Sequence, residues 1–251
     1  MSKARLLLVE DDPLMIRFVE LAVRGQTVDL VICHGLEEAR RALAQDAVGL
    51  VVTDLNLADG SGLDLLAELP GLTQRTGRDL PTPRAVVCSG SITADVQARL
   101  QALGAWRILQ KPVPVAVLAR TIAEGLSPGI GDSHRPAEAA AAKTADAPAQ
   151  AQATAVEEFF GGDAALFATY CANFMRHLPA TLAAADTAWQ QQDLPALGRS
   201  AHNLKTVLRT LGDPAGAELA LRAEQAAASG NMSAMHPHWA ALREALQQKT
   251  L

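Results

Sequence analysis

Six side chains in the first half of the chain are of types that could handle a phosphoryl group. Glu10, Asp11 and Asp12 follow the apolar run LLLV, and Asp54 follows LVVT. Ser89 follows AVVC, and Lys111 follows RILQ and precedes Pro112. Clustered carboxylates repel one another and resist ionisation unless a cation neutralises them. Hard oxygen ligands of this kind suit Mg²⁺, which takes one or two carboxylates together with waters and phosphate oxygens. A lysine and a small hydroxyl on neighbouring strands would each hold a phosphoryl oxygen, with Asp54 as the nucleophile, since carboxylates form acyl phosphates. Positioning and charge neutralisation carry most of phosphoryl transfer, so little else is required. Each part alone has a plainer use. EDDP makes a helix-capping turn, Lys111–Pro112 a surface turn, and Asp54 a cap for the loop LNLADGSG. Together, in order and at four strand ends, they favour the chemical reading.

A second candidate lies in SAHNLKTVLRTLG, residues 200–212. On a helical wheel at about 100° per residue, Arg199, Lys205, Thr206 and Arg209 fall within about 60° of His202. Leu197, Leu204, Val207, Leu208 and Leu211 crowd the opposite face. His202 is thus expected to face water on a basic stripe with no carboxylate beside it, which leaves a nucleophile or an ordinary surface histidine. A metal role is disfavoured, because His177, His236 and His238 are not one turn away from it. The HPH at 236–238 reads as a solvated turn or helix start.

Those residues need elements to hold them. Up to about residue 125, short Val/Leu-rich runs (ARLLLVE, VDLVIC, VGLVVTD, RAVVCSG, WRILQK) alternate with amphipathic stretches such as GLEEARRALAQD and TADVQARLQALG. Near-continuous apolar strands alternating with helices predict an α/β, doubly wound, five-stranded parallel sheet covered on both faces. Ligands of such sheets bind at the carboxyl ends of the strands, where every candidate above sits. Residues 127–153, rich in Ala, Pro and Ser, cannot bury a core and read as a linker. From 154 to 251 the pattern is all-α, with expected breaks at Pro179, near Asp193, at Gly212–Pro214 and at Gly230–Asn231. Short connections between helices of this length favour an antiparallel bundle.

Composition narrows the choice. Of 251 residues, 49% are hydrophobic and 20% charged, which is a globular profile, and a net charge of −5 argues against a general nucleic-acid binder. Cys33, Cys88 and Cys171 lie far apart without C-x-x-C spacing, against a zinc site or a disulfide framework. No apolar run approaches a membrane span, and ARLLLVEDDP is too short and too quickly acidic for a signal peptide. A cytoplasmic location without membrane partners is the expectation.

The segments LLLVEDDP, VVTDLNLADGSGLDLL, VVCSGS and LQKP resemble the receiver domain of two-component response regulators, over residues 1–126. The resemblance implies a flavodoxin-like sheet of order 2-1-3-4-5, Asp54 as phosphoacceptor, and Mg²⁺ held by Glu10, Asp11, Asp54 and the Asn56 carbonyl. Asp12 stands in line as an alternative member of the acidic pair. It also implies that Ser89 is the switch hydroxyl, that Lys111 binds phosphate, and that Lys111–Pro112 is cis. Two positions depart from the family. Ala58 stands where proline is usual, and the switch position is Ile108 where Tyr or Phe is typical, with Trp106 nearby.

The second segment resembles the histidine-containing phosphotransfer (HPt) domain, a four-helix bundle, over residues 154–251. The motif is AHNLKTVLRTLG, supported by FFGGDAALFATYCANFM, QQDLPALGRSAHNLK and ALRAEQAA. It implies that His202 is phosphorylated, with Arg199, Lys205, Thr206 and Arg209 around it for docking, and Thr206 replaces a more usual Gly. There is no room in this segment for the ATP-binding domain of a kinase, so the expectation is not an enzyme but a phosphorelay carrier. Its expected partners are a sensor histidine kinase and a partner receiver domain. The alternatives are a phosphorylation-gated interaction module and a phosphate sink.

Overall fold

The computed structural model describes residues 3–74, 82–90, 92–127 and 148–249. The chain divides into two compact units, Met1–Ala141 and Ala142–Leu251. Residues 128–147, most of the expected linker, lie outside the described residues.

In the first unit the order is β1 (Ala4–Val9), α1 (Pro13–Ala22), β2 (Val28–Cys33), α2 (Leu36–Gln45) and β3 (Leu50–Thr53). A small hairpin of β4 (Asn56–Leu57) and β5 (Gly60–Ser61) then leads to α3 (Gly62–Gln74). The unit closes with β6 (Arg84–Ser89), α4 (Ala94–Ala102), β7 (Arg107–Gln110) and α5 (Val115–Leu126). The main sheet is parallel, with order β2-β1-β3-β6-β7. Counting its strands alone, this is the 2-1-3-4-5 order of a doubly wound fold. Leu6, Leu7, Leu50, Val51, Val86 and Val87 are wholly buried, because helices cover both faces and the central strands have no wet side.

Helix starts tie directly to the sheet's upper edge. Asp12 caps α1, accepting from Leu14 N at 2.8 Å, with Pro13 in the first turn. Gly35 precedes α2 and has no side chain to cap it. Asp59, in the loop after Asp54, does so instead, accepting from Leu36 N at 3.0 Å and Glu37 N at 3.2 Å. Burial works against its charge, but those two N–H groups hold the Asp59 carboxyl below the usual range. A Cβ on Gly35 would lie 2.6 Å from that carboxylate, which explains the glycine.

The second unit is helical: α6 (Pro148–Phe160), α7 (Ala164–Gln190), α8 (Leu194–Thr210), α9 (Pro214–Ala228) and α10 (Met232–Gln247). Asp163, Asp193, Asp213 and Asn231 cap α7, α8, α9 and α10, each accepting from an N–H of the first turn. Two expectations need correcting. The helix does not break at Pro179; α7 runs through it for 27 residues. Its buried stripe of Tyr170, Phe174, Leu178, Ala185 and Ala188 continues across the proline, and that burial outweighs the single lost hydrogen bond. The helical region also begins at Pro148, inside the stretch read as linker. Ala151 and Ala155 are buried there, and Ala151 packs so closely on the α8–α9 turn that a Cβ on Gly212 (φ +71°) would lie 2.6 Å from its carbonyl. Among the described residues no helix is long and apolar enough to cross a membrane.

Candidate functional site

The strand ladders continue past the sheet and fix the first site. Glu10 N donates to Cys33 O at 3.0 Å, Asp54 N to Val9 O at 3.2 Å, and Lys111 N to Ser89 O at 2.9 Å. Three adjacent strand pairs thus deliver Glu10, Asp54, Ser89 and Lys111 to one edge. Lys111 Nζ donates to Asp54 Oδ2 at 2.7 Å and to Glu10 Oε2 at 2.8 Å. The second Asp54 oxygen accepts from Leu55 N at 2.5 Å and Asn56 N at 3.3 Å. Gly62 lets the loop return, since a Cβ there would fall 2.1 Å from the Asp54 carbonyl. The Lys111–Pro112 bond is cis.

Charge is the controlling feature. Glu10, Asp12, Asp54 and Lys111 are all buried, with one lysine among the acids. Burial pushes the Glu10 carboxyl up to about 8, with Lys111 opposing and Asp54 and Asp12 adding to it. Burial and the charges of Asp54 and Asp12 raise Asp11 as well. Burial works against the Lys111 cation, yet Glu10 and Asp54 more than reverse this and raise its pKa. Asp12 serves as the α1 cap, so its carboxylate is engaged with helix N–H groups. The charge of Asp54 acts on Glu10, Asp11 and Asp12 alike. Excess buried carboxylate over cation is an environment that fits Mg²⁺. Among the described residues no three carboxylate, imidazole or thiol groups close into a cage. A cation here would therefore take part of its shell from waters or phosphoryl oxygens, as Mg²⁺ does.

Ser89 is wholly buried, and its Oγ has no hydrogen-bond partner among the described residues. Ile108 is half-buried against the core that contains Val51, Val87 and Leu100. Trp106 is buried, with the Arg107 guanidinium 4.6 Å and the Arg84 guanidinium 5.4 Å from its ring centre. Cys33 and Cys88 are buried thiols pushed up to about 11 and about 12 by burial, which leaves them inert.

The second site overturns the wheel argument. His202 is 4% exposed, and Lys205 and Thr206 are 3% exposed, so this face of α8 is covered and not wet. A carboxylate does sit beside the histidine. Glu224, from α9, places Oε1 2.6 Å from His202 Nδ1, and its Oε2 accepts from Lys205 Nζ. Burial opposes the Glu224 charge, but the bonds from His202 and Lys205 outweigh it and hold its carboxyl below the usual range. Nε2 of His202 is buried without a hydrogen-bond partner among the described residues. Of the other residues expected around His202, Arg209 is exposed, Arg199 half-buried, and Thr206 Oγ1 bonds back to the His202 carbonyl at 3.3 Å.

Glu224 is a functional candidate that one-helix reasoning misses. The signal was in AELALRAEQAAA, a helix whose buried positions Ala217, Ala220, Ala223 and Ala227 are all small. Small side chains let α9 lie close to α8, as Gly198 and Ala227 show: a Cβ on Gly198 would come within 3.3 Å of the Ala227 Cβ. The glutamate in that stripe is then brought onto the neighbouring helix.

Comparison with known proteins bears on both units. A family model described as the response regulator receiver domain matches residues 6–123, and one described as the Hpt domain matches residues 169–249. The response regulator protein PilR of Pseudomonas aeruginosa is 34% identical over 127 residues, covering 50% of this chain and 27% of its own length. The sensory/regulatory protein RpfC of Xanthomonas campestris is 30% identical over 119 residues, covering 47% of this chain and 16% of its own length. The chain thus spans under a third of the length of these curated relatives. Among solved structures, a response regulator receiver domain protein from Methanospirillum hungatei is 22% identical with a TM-score of 0.43, covering 50% of this chain and 94% of its own. A Burkholderia pseudomallei response regulator with a phosphorylated aspartic acid is 22% identical with a TM-score of 0.42, covering 50% of this chain and 67% of its own.

Proposed function

Since the chain belongs to the response regulator receiver family in its first unit and to the Hpt family in its second, we propose that it passes phosphoryl groups in two-component signalling. In this reading Asp54 accepts a phosphoryl group from the phosphohistidine of a sensor kinase. His202 carries one to or from a receiver aspartate. The observation that carries the proposal is Lys111 clasping both Asp54 and Glu10 at the carboxyl edge of a parallel sheet.

The chemistry follows from that clasp. A carboxylate oxygen of Asp54 attacks phosphorus, the P–N bond breaks, and its electron pair returns to the donor imidazole. Lys111, beside the attacking carboxylate, holds a phosphoryl oxygen in this reading, and the Ser89 hydroxyl, without a partner among the described residues, donates to another. Glu10, Asp11 and Asp54, with the Asn56 carbonyl, would hold Mg²⁺, which when bound supplies positive charge against the phosphoryl oxygens.

The test is transfer of labelled phosphate from a donor kinase with Mg²⁺ to wild type, Asp54→Asn and His202→Gln. The proposal expects acid-stable acyl phosphate that disappears in Asp54→Asn, and base-stable phosphohistidine that disappears in His202→Gln. Movement of label between the two residues would establish a relay within one polypeptide. The burial of His202 favours a second reading, a phosphorylation-gated interaction module whose bundle docks on a kinase. Label confined to Asp54 with every donor and receiver tried, together with an unaltered regulatory effect of His202→Gln, would decide for it.

A further inference from the structure

The loop that follows Asp54 is tied down at both ends. At one end Leu55 N and Asn56 N donate to the Asp54 carboxylate, and Gly62 N donates to Leu55 O at 3.1 Å. Between these bonds the β4–β5 hairpin pairs Asn56 with Ser61 and Leu57 with Gly60, which leaves Ala58 and Asp59 as its turn. A hairpin this short is not stable by itself in water. Its tip is seated on α2. Asp59 takes Leu36 N and Glu37 N on its two carboxylate oxygens, and a Cβ on Gly60 would lie 2.5 Å from the Leu36 side chain. The anchor is firm: Leu36, Ala39 and Leu43 are buried, and Arg40 donates to Glu68 of α3 at 2.7 and 2.9 Å. A cap needed by α2 alone would be expected from its own chain, as in α1, α4, α7, α8, α9 and α10. At that position α2 has Gly35, in an extended backbone (φ −175°) that any residue adopts. The glycine makes room for the hairpin's carboxylate.

Ala58 shows why the turn needs a tie. It holds the first central position, and of Ala58, Asp59 and Gly60 only Gly60 has a positive φ, +153°. Ala58 therefore lies on the negative-φ side, where proline is favoured in such turns and would fix the dihedral. Alanine leaves it free. We infer that Asp59 is a positioning residue for the Asp54 site: by tying the hairpin to α2 it holds the Asn56 carbonyl where it can ligate Mg²⁺, in place of a stiff turn. The inference rests on the reading of this edge as a Mg²⁺ and phosphoryl site. Asp59 touches neither group and acts through the hairpin backbone. Without the tie the hairpin samples conformers in which the carbonyl is turned away, and the apparent affinity falls by the fraction of time spent in them.

Mg²⁺ titrated into the full chain, followed by the amide shifts of Leu55 and Asn56, gives a readout that needs no phosphate. Asp59→Ala should weaken Mg²⁺ binding about five-fold, the fold-change equivalent to one lost capping interaction. In the metal-free protein the same substitution should strip the Leu36 and Glu37 amides of their protection from exchange. Two double variants separate positioning from capping. Gly35→Ser/Asp59→Ala gives α2 a cap of its own in the space the carboxylate vacates. It should recover the melting temperature and not the Mg²⁺ affinity. Ala58→Pro/Asp59→Ala stiffens the turn and should recover the affinity while the Leu36 and Glu37 amides stay unprotected. Affinity that returns with Gly35→Ser, or fails to return with Ala58→Pro, overturns the inference, as does equal binding by wild type and Asp59→Ala. Wild type that takes up neither Mg²⁺ nor a phosphoryl group on Asp54 overturns the reading of the edge, and this inference with it.

Discussion

Both candidate phosphoacceptors in this chain use a lysine, a carboxylate and one unpartnered polar atom, but they wire them differently. In the α/β unit the acceptor is itself the carboxylate on the lysine: Asp54 and Glu10 share Lys111, and Ser89 Oγ has no partner among the described residues. In the bundle the acceptor is an imidazole and a separate acid serves it: Glu224 takes both His202 and Lys205, and His202 Nε2 has no partner among the described residues. The aspartate site is left with surplus negative charge, which burial shows as raised carboxyl pKa values at Glu10 and Asp11. At the histidine site one lysine meets one glutamate. The first is the site whose surplus of carboxylate fits an added cation.

The sharpest way to break this comparison is at the lysines, and Lys111 should matter most. Lys111→Met leaves Glu10 and Asp54 buried without their cation. Removing one partner of a buried pair costs about 3–5 kcal/mol. Native-state hydrogen exchange should report that loss in β1 and β3 while α8 keeps its protection. A loss under about 1 kcal/mol would mean that the carboxylates protonate without penalty and that the clasp contributes little.

Lys205→Met should cost less, about 1.5–3 kcal/mol at neutral pH, the scale of a hydrogen bond to a charged group. Glu224 keeps its bond to His202 and stays partly hydrated, its side chain 21% exposed. The effect should also depend on pH. The Glu224 carboxyl is depressed on folding, so its contribution is full above its ordinary value of 4.5 and is lost as pH falls through the lower folded value. The gap between wild type and Lys205→Met, read from denaturant midpoints, should hold from neutrality down to about that value and close below it. A gap that stays constant into strong acid would show that Lys205 stabilises the bundle by packing and not through Glu224.

The two sites also differ in how far they could be read from sequence. Glu10, Asp54, Ser89 and Lys111 were legible because each closes a strand, and parallel topology alone brings strand ends together. Asp12 was ambiguous in sequence, since a cap and a ligand look alike there; in the structure its Oδ1 accepts from Leu14 N and so caps α1. His202 was found, but its surroundings were misjudged. A wheel drawn on one helix shows which residues share a face and is silent on what covers that face. What covers it depends on how closely α9 packs, and that is set by Ala217, Ala220, Ala223 and Ala227, whose local meaning is only helix propensity. Pro179 failed for the related reason that a local rule was overruled by a buried stripe running past it.

The smallest expected effect on stability sharpens the comparison most. Ser89 Oγ is fully buried with no partner among the described residues, so Ser89→Ala removes an unsatisfied hydroxyl together with little volume. Loss of an unpaired polar atom favours the fold and loss of its packing opposes it. The two should cancel to within about 0.5 kcal/mol. If the hydroxyl serves a phosphoryl oxygen, the same substitution should slow phosphorylation of Asp54 at unchanged melting temperature. A kinetic change without a thermal one is the signature of an atom held ready for a ligand. A drop in stability of more than about 1.5 kcal/mol, with phosphorylation untouched, would make Ser89 a structural residue and leave the open nitrogen of His202 without its counterpart in the sheet.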